Sequence, residues 1–377
     1  MAITIQNSPS NGESVQDTLW HIVSSNHSSI PDFKYVFDVW IDGVQKIRVK
    51  QYPEPGTTYG YFDAGAIVRN SIEYGWFTPN VGDQIVPSNA WKLDYQVRYG
   101  EEYSGTTTLN LASGTTTAYN WRPDLFRRKI EEPISDYEGY FLTNRNTTIY
   151  ADFNKRFWIA FLYTRLGYKI YNQNNALVEG DDNYYEAGAG QLAQFDCRNL
   201  FNLSNASNAK YMEVIMYDVS GTPVGGKLTI YNKCNPKYET IPIHFMNRFG
   251  VFETLHFGLV SRLTMDVERK GYERRDFNIN GSNVNYINNT TYAESKINYS
   301  NKINWSYRLT ADALNDTDYK WASQLINSPQ IYMEVDDYFY PVTIKNTNYE
   351  YSKYVNNRQR ALEVDFEMNQ TMYSHLR

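Results

Sequence analysis

The segment whose spacing comes nearest to a known binding motif is residues 221–227, which match the GxxxxGK pattern of a phosphate-binding loop. Such a loop requires Ser or Thr after its lysine, to hold magnesium, and then a helix whose N-terminus faces the phosphates. Here Leu228 follows Lys227, and the run LTIY continues in the manner of a strand. We therefore interpret the segment as a hairpin turn and expect no nucleotide site there.

Other residue types that perform acid–base, nucleophilic or metal chemistry are scattered along the chain. The histidines show neither the i, i+4 spacing nor the cysteine partners of a metal site, and no GxSxG turn indicates a nucleophilic serine. These histidines are His21, His27, His244, His256 and His375. Asp181 and Asp182 offer oxygens of the kind that calcium prefers, but the regular spacing of an EF-hand loop is missing, so a solvated turn is expected. The sequence thus predicts no enzyme, no catalytic residue, no cofactor and no metal site.

Composition narrows the class of protein further. The chain has 377 residues, enough for two or three domains. Its formal net charge of -6 gives no overall positive field, so no specific nucleic-acid partner is expected. The sequence has no long apolar run and its start lacks the features of a secretion signal, so we expect no membrane partner. We expect the two cysteines, Cys197 and Cys234, to be small buried thiols packed near each other.

The aromatic residues are unusual in kind, because 34 Tyr exceed the 18 Phe and 8 Trp combined. Tyrosine suits a half-buried pleated surface, and it also suits a wet interface because one end is apolar and the other forms hydrogen bonds. The composition therefore favours a twisted-sheet protein, and it is compatible with lateral surfaces that neighbouring subunits cover.

Short apolar or alternating runs that end at Gly, Asp or Asn predict strands along most of the chain. They lie at residues 34–40, 45–49, 92–98, 156–163, 211–217 and 227–231. Asp42 and Gly43 are the best hairpin turn because both residues tolerate a positive φ.

Two stretches resemble each other at offsets of about 120 to 130 residues. Residues 34–47 parallel the stretch that starts at residue 156, which places Leu166 and Gly167 at the turn equivalent to Asp42 and Gly43. Further matches join 66–70 to 195–199 and 91–97 to 211–217. The alternative is chance similarity among tyrosine-rich strands.

We predict a mainly β fold of two β-sandwich modules followed by a β-rich C-terminal module with one helix. The expected divisions are an N-terminal arm at 1–29, sandwiches at 30–120 and 145–235, a linker at 121–144, and an assembly module at 236–377. The helix is expected at 317–326, capped by Asp316, with Trp321 and Leu325 on one face. Residues 278–289 are predicted to be a long polar loop that a partner orders.

Scattered motifs in all three parts resemble virion proteins of crAss-like and related Bacteroidetes phages. The main motif is IPIHFMNRFGVFE at residues 241–253, shortly after CNPKY. The openings IPDFKYVFDVW and GAIVRN, and the closing runs WASQLINSPQIY, YPVTI and ALEVDFE, also match. The resemblance implies a structural tail or neck component, with a ring subunit around the tail barrel as the best match, located in the virion and in the host cytoplasm during assembly. No catalytic residues follow from it.

The expected partners are other copies of the chain and neighbouring tail or neck proteins such as the portal, hub or other ring proteins. Aromatic residues and nearby cations are the side chains that anchor such interfaces. The candidate interface residues are Phe245, Arg248, Phe249, Phe252, Arg127, Arg128, Lys129 and Tyr286. Core packing is the alternative for the phenylalanines, and a solvated linker is the alternative for the basic run. The competing function is a receptor- or carbohydrate-binding module in which Tyr and Trp stack on sugar rings.

Overall fold

Alternation of apolar and polar side chains builds most of the chain into antiparallel sheets. The computed structural model describes residues 3–72, 85–87, 92–122, 139–162, 165–186, 192–200, 208–233, 238–275, 277–286, 295–311, 314–345, 361–370 and 372–374. The predicted mainly β fold class is confirmed. The described residues divide into two units. The first contains 1–235, 244–254 and 328–330, and the second contains 236–243, 255–327 and 331–377.

The described residues of the first half of the first unit form nine strands and one helix. They are β1 (Ile3–Asn7), β2 (Trp20–Ser25), β3 (Lys34–Ile41), β4 (Val44–Gln51), β5 (Tyr59–Asp63), α1 (Gly65–Ser71), β6 (Ile85–Pro87), β7 (Lys92–Tyr103), β8 (Thr106–Ala112) and β9 (Thr116–Tyr119). One sheet has the order β1-β2-β5, and the other has the order β4-β3-β7-β8 with β9 also on β7. Apolar side chains of both sheets form one core, so this half is a β-sandwich.

The second half of the first unit repeats this arrangement. Its elements are β10 (Thr148–Ala151), β11 (Trp158–Leu162), β12 (Arg165–Asn172), β13 (Leu177–Glu186), β14 (Leu192–Asp196), a 3-10 helix (Cys197–Leu200), β15 (Ala209–Tyr217) and β16 (Pro223–Asn232). Here the larger sheet has the order β10-β16-β15-β12-β13 and the smaller one β11-β14-β6. The two sheets again share one core. The short strand β6 comes from the first half of the chain but completes the smaller sheet of the second half.

The two halves share both element order and strand pairing. β2 pairs with β5 as β11 pairs with β14, β3 lies between β4 and β7 as β12 lies between β13 and β15, and β8 follows β7 as β16 follows β15. A helix follows β5, and a 3-10 helix follows β14. The sequence matches of 66–70 with 195–199 and of 91–97 with 211–217 fall on these equivalent elements.

An aspartate fixes the same corner in each half. In the first half, one carboxylate oxygen of Asp63 accepts the backbone N–H groups of Leu19 and Gly65, both at 2.8 Å. The N–H of Ala64 donates to the carbonyl of Leu19 at 3.0 Å, and Trp20 lies opposite Asp63 in the sheet. This carboxylate therefore joins the end of β5 to the start of β2.

In the second half, one carboxylate oxygen of Asp196 accepts the N–H groups of Phe157 at 3.1 Å and Arg198 at 3.0 Å. The N–H of Cys197 donates to the carbonyl of Phe157 at 2.9 Å, and Trp158 lies opposite Asp196. Every contact of the first corner thus has a counterpart in the second. A repeated hydrogen-bond pattern of this detail supports duplication over chance similarity of tyrosine-rich strands.

The expected equivalence of two turns is wrong. Asp42 and Gly43, at φ 52° and 74°, do form the β3–β4 turn. Leu166 and Gly167, however, lie inside β12, and the equivalent β12–β13 turn contains Asn175 at φ 58°. The glycine in β12 serves a close approach, because a Cβ there would lie 2.7 Å from a backbone oxygen of β13. The sequence match aligned β3 with β11, whereas the strand equivalent to β3 is β12.

Several boundaries also differ from those expected. Residues 3–7 and 20–25 of the expected N-terminal arm are β1 and β2 of the first sandwich. The expected start of the last module at 236 agrees with the start of the second unit, although 244–254 belong to the first. Most of the expected linker, including Arg127, Arg128 and Lys129, lies outside the described residues, as does Cys234. The described thiol of Cys197 is buried.

The remaining elements are β17 (Ile241–Met246), β18 (Phe252–Phe257), β19 (Ser261–Glu273), β20 (Phe277–Asn280), β21 (Asn283–Tyr286), β22 (Lys296–Thr310), α2 (Asp316–Ile326), β23 (Ile331–Val335), β24 (Tyr338–Ile344), β25 (Glu363–Met368) and β26 (Met372–Ser374). One sheet has the order β18-β17-β23-β24-β25-β22-β19, with β26 also on β22.

Helix α2 has the expected position, and Trp321 and Leu325 are buried as predicted. The cap is one residue earlier than expected, because Asn315 has the extended backbone of an N-cap and its side chain accepts the N–H of Asp318 at 2.8 Å. In addition, α1 was not foreseen. The predicted loop at 278–289 is largely wrong, because β20 and β21 pair as a hairpin around Gly281.

Candidate functional site

The phage-like motif at 241–253 forms a buried corner between β17 and β18. The side-chain oxygen of Asn247 accepts the N–H groups of Phe249 at 2.9 Å and Val251 at 3.3 Å. Its amide nitrogen donates to the carbonyl of Leu142 and to Glu253, both at 2.8 Å. One asparagine thus satisfies four polar groups, which explains why the motif has Asn at this position.

The glycine of the motif is required by its conformation and surroundings. Gly250 has φ 74°, and a Cβ on it would lie 2.0 Å from the backbone oxygen of Asn120. Phe245, Phe249 and Phe252 are all buried within the chain. These three candidate interface residues therefore lie in the protein interior in the isolated chain.

The other candidate interface residues have different surroundings. Arg248 is partly buried and donates from Nε to Asn144 at 2.5 Å, while its carbonyl accepts the N–H of Arg122 at 2.5 Å. The backbone of Tyr286 ends β21, opposite Phe277. Arg248 belongs to the first unit and Tyr286 to the second.

Residues 221–227 form the hairpin predicted for them. The carboxylate of Asp218 accepts the N–H groups of Ser220 at 2.9 Å and Thr222 at 2.8 Å, and Gly221 has φ 83°. Residues 225–227 then run inside β16, opposite β15. The strand thus occupies the place where a phosphate-binding loop would need a helix.

The solvated turn expected at Asp181 and Asp182 is wrong, because both residues lie inside β13, where protein groups contact Asp182. Asp182 accepts the hydroxyl of Tyr217 at 2.8 Å and lies 3.2 Å from the ammonium of Lys169. The hydrogen bond from Tyr217 is the main reason that the pKa of Asp182 is lowered. Within the described part of the chain, no group of three or more His, Cys, Asp or Glu side chains is arranged to hold a metal ion.

His21 and Asp196 are buried titratable groups whose pKa values are strongly shifted, and each lies within a β-sandwich. Burial lowers the pKa of His21 to about 4, and its Nδ1 lies 2.7 Å from the hydroxyl of Tyr99. Burial raises the pKa of Asp196, the corner residue of the second half, to about 6. Shifted pKa values also occur in active sites, but each of these side chains is enclosed by its own core.

Tyrosine rings form a ladder across the larger sheet of the second half. Tyr171 stacks on Tyr211 with ring centroids 4.7 Å apart, Tyr211 lies 5.4 Å from Tyr231, and Tyr231 stacks on Tyr150 at 5.5 Å. The ring faces of the inner members are therefore turned toward neighbouring rings. A pyranose needs an open ring face, so this ladder is a poor platform for sugar stacking except at its ends.

One outer strand of each larger sheet in the first unit, β4 in one and β13 in the other, carries features that oppose pairing with another chain. β4 carries three cations: Lys46, Arg48, which makes a two-point ion pair with buried Asp38 at 2.7 Å, and Lys50, which lies 2.6 Å from Glu102. β13 carries acidic side chains, and its register with β12 shifts twice. Charged side chains and bulges are the usual means of preventing edge-to-edge association.

β19 and β22 form a long antiparallel ribbon. The two strands have 13 and 15 residues and pair from Ser261 opposite Leu309 to Glu273 opposite Lys296. All β19 side chains are exposed except that of Val267, which is intermediate. Such a strand gains little from burial within its own chain.

One face of this ribbon carries an apolar row. Leu263 lies opposite Tyr307, Met265 opposite Trp305, and Val267 opposite Ile303. Leu263 is 53% exposed and Met265 is 50% exposed. We define the apolar row as Leu263, Met265, Val267, Ile303, Trp305 and Tyr307. On β22 the next residue on the same face is Leu309, which is buried at the base of the ribbon. The apolar row therefore continues a face that is buried at one end of the ribbon.

The two outer edges of the ribbon differ. Residues of β22 pair with β25 near the base and with β26 farther out, from Ile303 opposite Met372 to Asn301 opposite Ser374. β19 is the terminal strand of its sheet, and no described strand lies on its outer side. The alternating segments LTMDV and INWSY carry the sequence signal for this row, but the strands predicted from the sequence do not include them.

No protein-family model matches the chain, and no curated protein shows significant sequence similarity to it. In the described residues, no helix has the length and apolar character needed to cross a membrane.

Proposed function

We propose that the chain is a structural protein of a tailed-bacteriophage virion, a tail or neck subunit whose copies form a closed ring around the tail barrel. Its partners are other copies of itself and the adjoining portal, hub or ring proteins. The observation that carries this proposal is the ribbon, because Leu263 and Met265 of its apolar row are exposed in the isolated chain and no described strand pairs with the outer edge of β19. Surfaces of that kind are typical of proteins that bury them against other subunits.

Two further features support an assembly role. The first is the motif resemblance to phage virion proteins at residues 241–253, where Asn247 and Gly250 have defined structural tasks. The second is the contrast between charged, bulged edges on β4 and β13 and the open edge of β19. Because β4 and β13 carry features that oppose pairing, strand-to-strand association is favoured at the edge of β19.

Electron microscopy of the purified protein, with sedimentation velocity, tests the proposal. We expect closed rings of many copies, formed by the protein alone or with the neighbouring virion proteins, and we expect antibodies to label the tail or neck of the particle. A protein that stays monomeric under both conditions and is missing from the particle would refute the proposal.

The second candidate function is a carbohydrate- or receptor-binding module. The tyrosine ladder favours it, since Tyr150 at one end of the ladder is 57% exposed. Calorimetric titration of the protein with host surface glycans tests this function. Binding that Tyr150→Ala abolishes, and that the control Tyr211→Phe at an inner position of the ladder retains, would favour the carbohydrate module over the ring subunit.

A further inference from the structure

The outer edge of β19 carries a side-chain pattern that is complementary to itself. In an antiparallel pair, residues directly opposite each other lie on the same face. Two copies of β19 therefore continue the apolar row only if an odd-numbered residue of one copy faces an odd-numbered residue of the other. We propose that two copies of this chain pair through β19, antiparallel, about a two-fold axis at Met265.

The apolar side chains favour this register. With Met265 on the axis, Leu263 of each copy faces Val267 of the other, and the two Met265 side chains face each other. The apolar row would then run without interruption across four strands, from β22 of one copy through both β19 strands to β22 of the second copy. A register centred one residue earlier instead places Val267 opposite Ser261, which shortens the row.

Charge favours the same register. Arg262 of each copy then faces Glu268 of the other, which gives two opposite-charge pairs related by the two-fold axis. Registers centred on Asp266 or Val267 instead bring like charges together, Asp266 against itself or against Glu268. A register centred on Thr264 also gives two opposite-charge pairs, Arg262 with Asp266, but it places Val267 opposite Ser261. Only the Met265 register combines two opposite-charge pairs with the whole apolar row.

Contacts inside the chain leave those two charges available. Arg262 lies opposite Arg308, whose guanidinium already binds Asp365 at 2.6 and 3.0 Å. Glu268 lies opposite Lys302 in the ribbon. In the described part of the chain, neither Arg262 nor Glu268 takes part in an ion pair within 4.0 Å. A second copy supplies the opposite charge that Arg262 lacks on its own ribbon.

This inference rests on the proposed function and deepens it by naming a partner surface. A two-fold contact of this kind is separate from the head-to-tail contacts that close a ring. It would join two subunits in different rings or in facing halves of one assembly. The occupant of the open edge is thus a second copy of the chain.

Single cysteines test the register. Opposed residues of an antiparallel pair have Cα atoms about 4.5 to 5.5 Å apart, within the range that a disulfide bridges. We expect Met265→Cys, made with Cys234→Ser, to form a disulfide-linked dimer under mild oxidation. Thr264→Cys and Asp266→Cys are matched controls, because their equivalents in the second copy would be about 7 to 8 Å away or farther. Cross-linking at 264 or 266 in preference to 265, or at none of the three, would overturn the proposal.

Charge reversal tests the pairing without changing the apolar row. Arg262→Glu places like charges at both pairs. Sedimentation equilibrium should therefore give this variant a dimer dissociation constant at least about tenfold higher than that of the wild type. The same change puts a carboxylate opposite Arg308 within the ribbon. The free energy of unfolding of the monomer should therefore not decrease. Adding Glu268→Arg restores both pairs and should return the dimer to within about threefold of wild type. A double variant as weak as Arg262→Glu would contradict the pairing.

Two results separate this inference from the proposed function. If Met265→Cys does not cross-link but the protein still forms rings or enters the particle, the β19 contact is wrong and the ring proposal stands. If the cross-link forms at 265 while rings and particle incorporation are both missing, the β19 contact stands and the ring proposal fails.

Discussion

The duplicated sandwiches and the ribbon are both antiparallel β-structure, but they differ in what covers their side chains. β3 has six buried residues among eight, whereas β19 has none among thirteen. β3 has apolar residues at alternate positions, Tyr35, Phe37, Val39 and Ile41, and β19 has them at Leu263, Met265 and Val267, so the alternation itself does not determine burial. The comparison shows that strand pairing and core formation are separate events, because β19 pairs along its length with β22 while its side chains stay exposed.

The largest expected difference between the two regions concerns apolar truncation. Phe195 is fully buried and contacts Phe161 edge to face at 5.9 Å, so Phe195→Ala should lower the free energy of unfolding by about 3 to 5 kcal/mol. Met265→Ala on the ribbon should change it by less than about 0.5 kcal/mol. Urea unfolding followed by circular dichroism measures both. A large loss for Met265→Ala in the monomer would mean that the apolar row is covered within one chain.

Removal of the corner asparagine tests the polar core in the same way. Asn247→Ala leaves the N–H groups of Phe249 and Val251 and the carbonyl of Leu142 without their side-chain partner. We expect a loss of roughly 2 to 4 kcal/mol in unfolding free energy, since each orphaned buried group costs about 1 to 3 kcal/mol and the corner can relax. Asn304→Ala, on the polar face of the ribbon, is the control and should be nearly neutral. Equal losses for the two variants would show that the corner is not a fixed element.

The pH dependence of stability also separates the regions, because His21 and Asp196, whose pKa values are shifted strongly by burial, lie in the sandwiches. His21 has a folded pKa of about 4, below its ordinary 6.5, so its contribution is present above pH 6.5 and is lost as the pH falls to about 4. Asp196 has a folded pKa of about 6, above its ordinary 3.8, so its contribution is present below about 3.8 and is lost as the pH rises through 6.

These two effects oppose each other between about pH 4 and 6, and each amounts to roughly 3 kcal/mol. Asp196→Asn keeps the oxygen that accepts two N–H groups and removes the titration. We expect this variant to lose stability steeply as the pH falls from 6.5 to 4, while the wild type changes little. Denaturant titrations at closely spaced pH values measure this. The same slope in both proteins would contradict the assignment to Asp196.

The smallest expected effect on stability concerns the protected edge of β4. Lys46 is exposed and carries one of three cations on that strand, so Lys46→Val should change the unfolding free energy by less than about 0.5 kcal/mol. It should nevertheless increase self-association, because the edge would then resemble that of β19. Light scattering against protein concentration measures this, with Lys46→Arg as the control. No difference in scattering between the two variants would show that the lysine charge does not protect this edge.

Much of the fold could be predicted from local pattern. The strands at 34–40, 45–49, 92–98 and 211–217 and the helix with Trp321 and Leu325 follow from side-chain period alone, which acts over a few residues. The same alternation is present in β19 and β22, which the predicted strands do not include. The turn role assigned to Gly167 failed because a glycine has two local uses, a positive φ and a close approach, and only the neighbouring strand distinguishes them.

The sequence by itself determined where the chain is extended, where it turns at Asp42 and Gly43, and that no motif with a known catalytic spacing is complete. The tertiary structure alone decided which strands pair, that β6 joins the sheet of the second half, and that Phe245, Phe249 and Phe252 are interior. It also decided that the apolar face of β19, with Leu263 and Met265, stays exposed. The apolar face of β3, with Phe37 and Val39, is instead covered by other strands. The physical reason is that periodicity depends on neighbours along the chain, whereas burial depends on which distant segment packs against the resulting face.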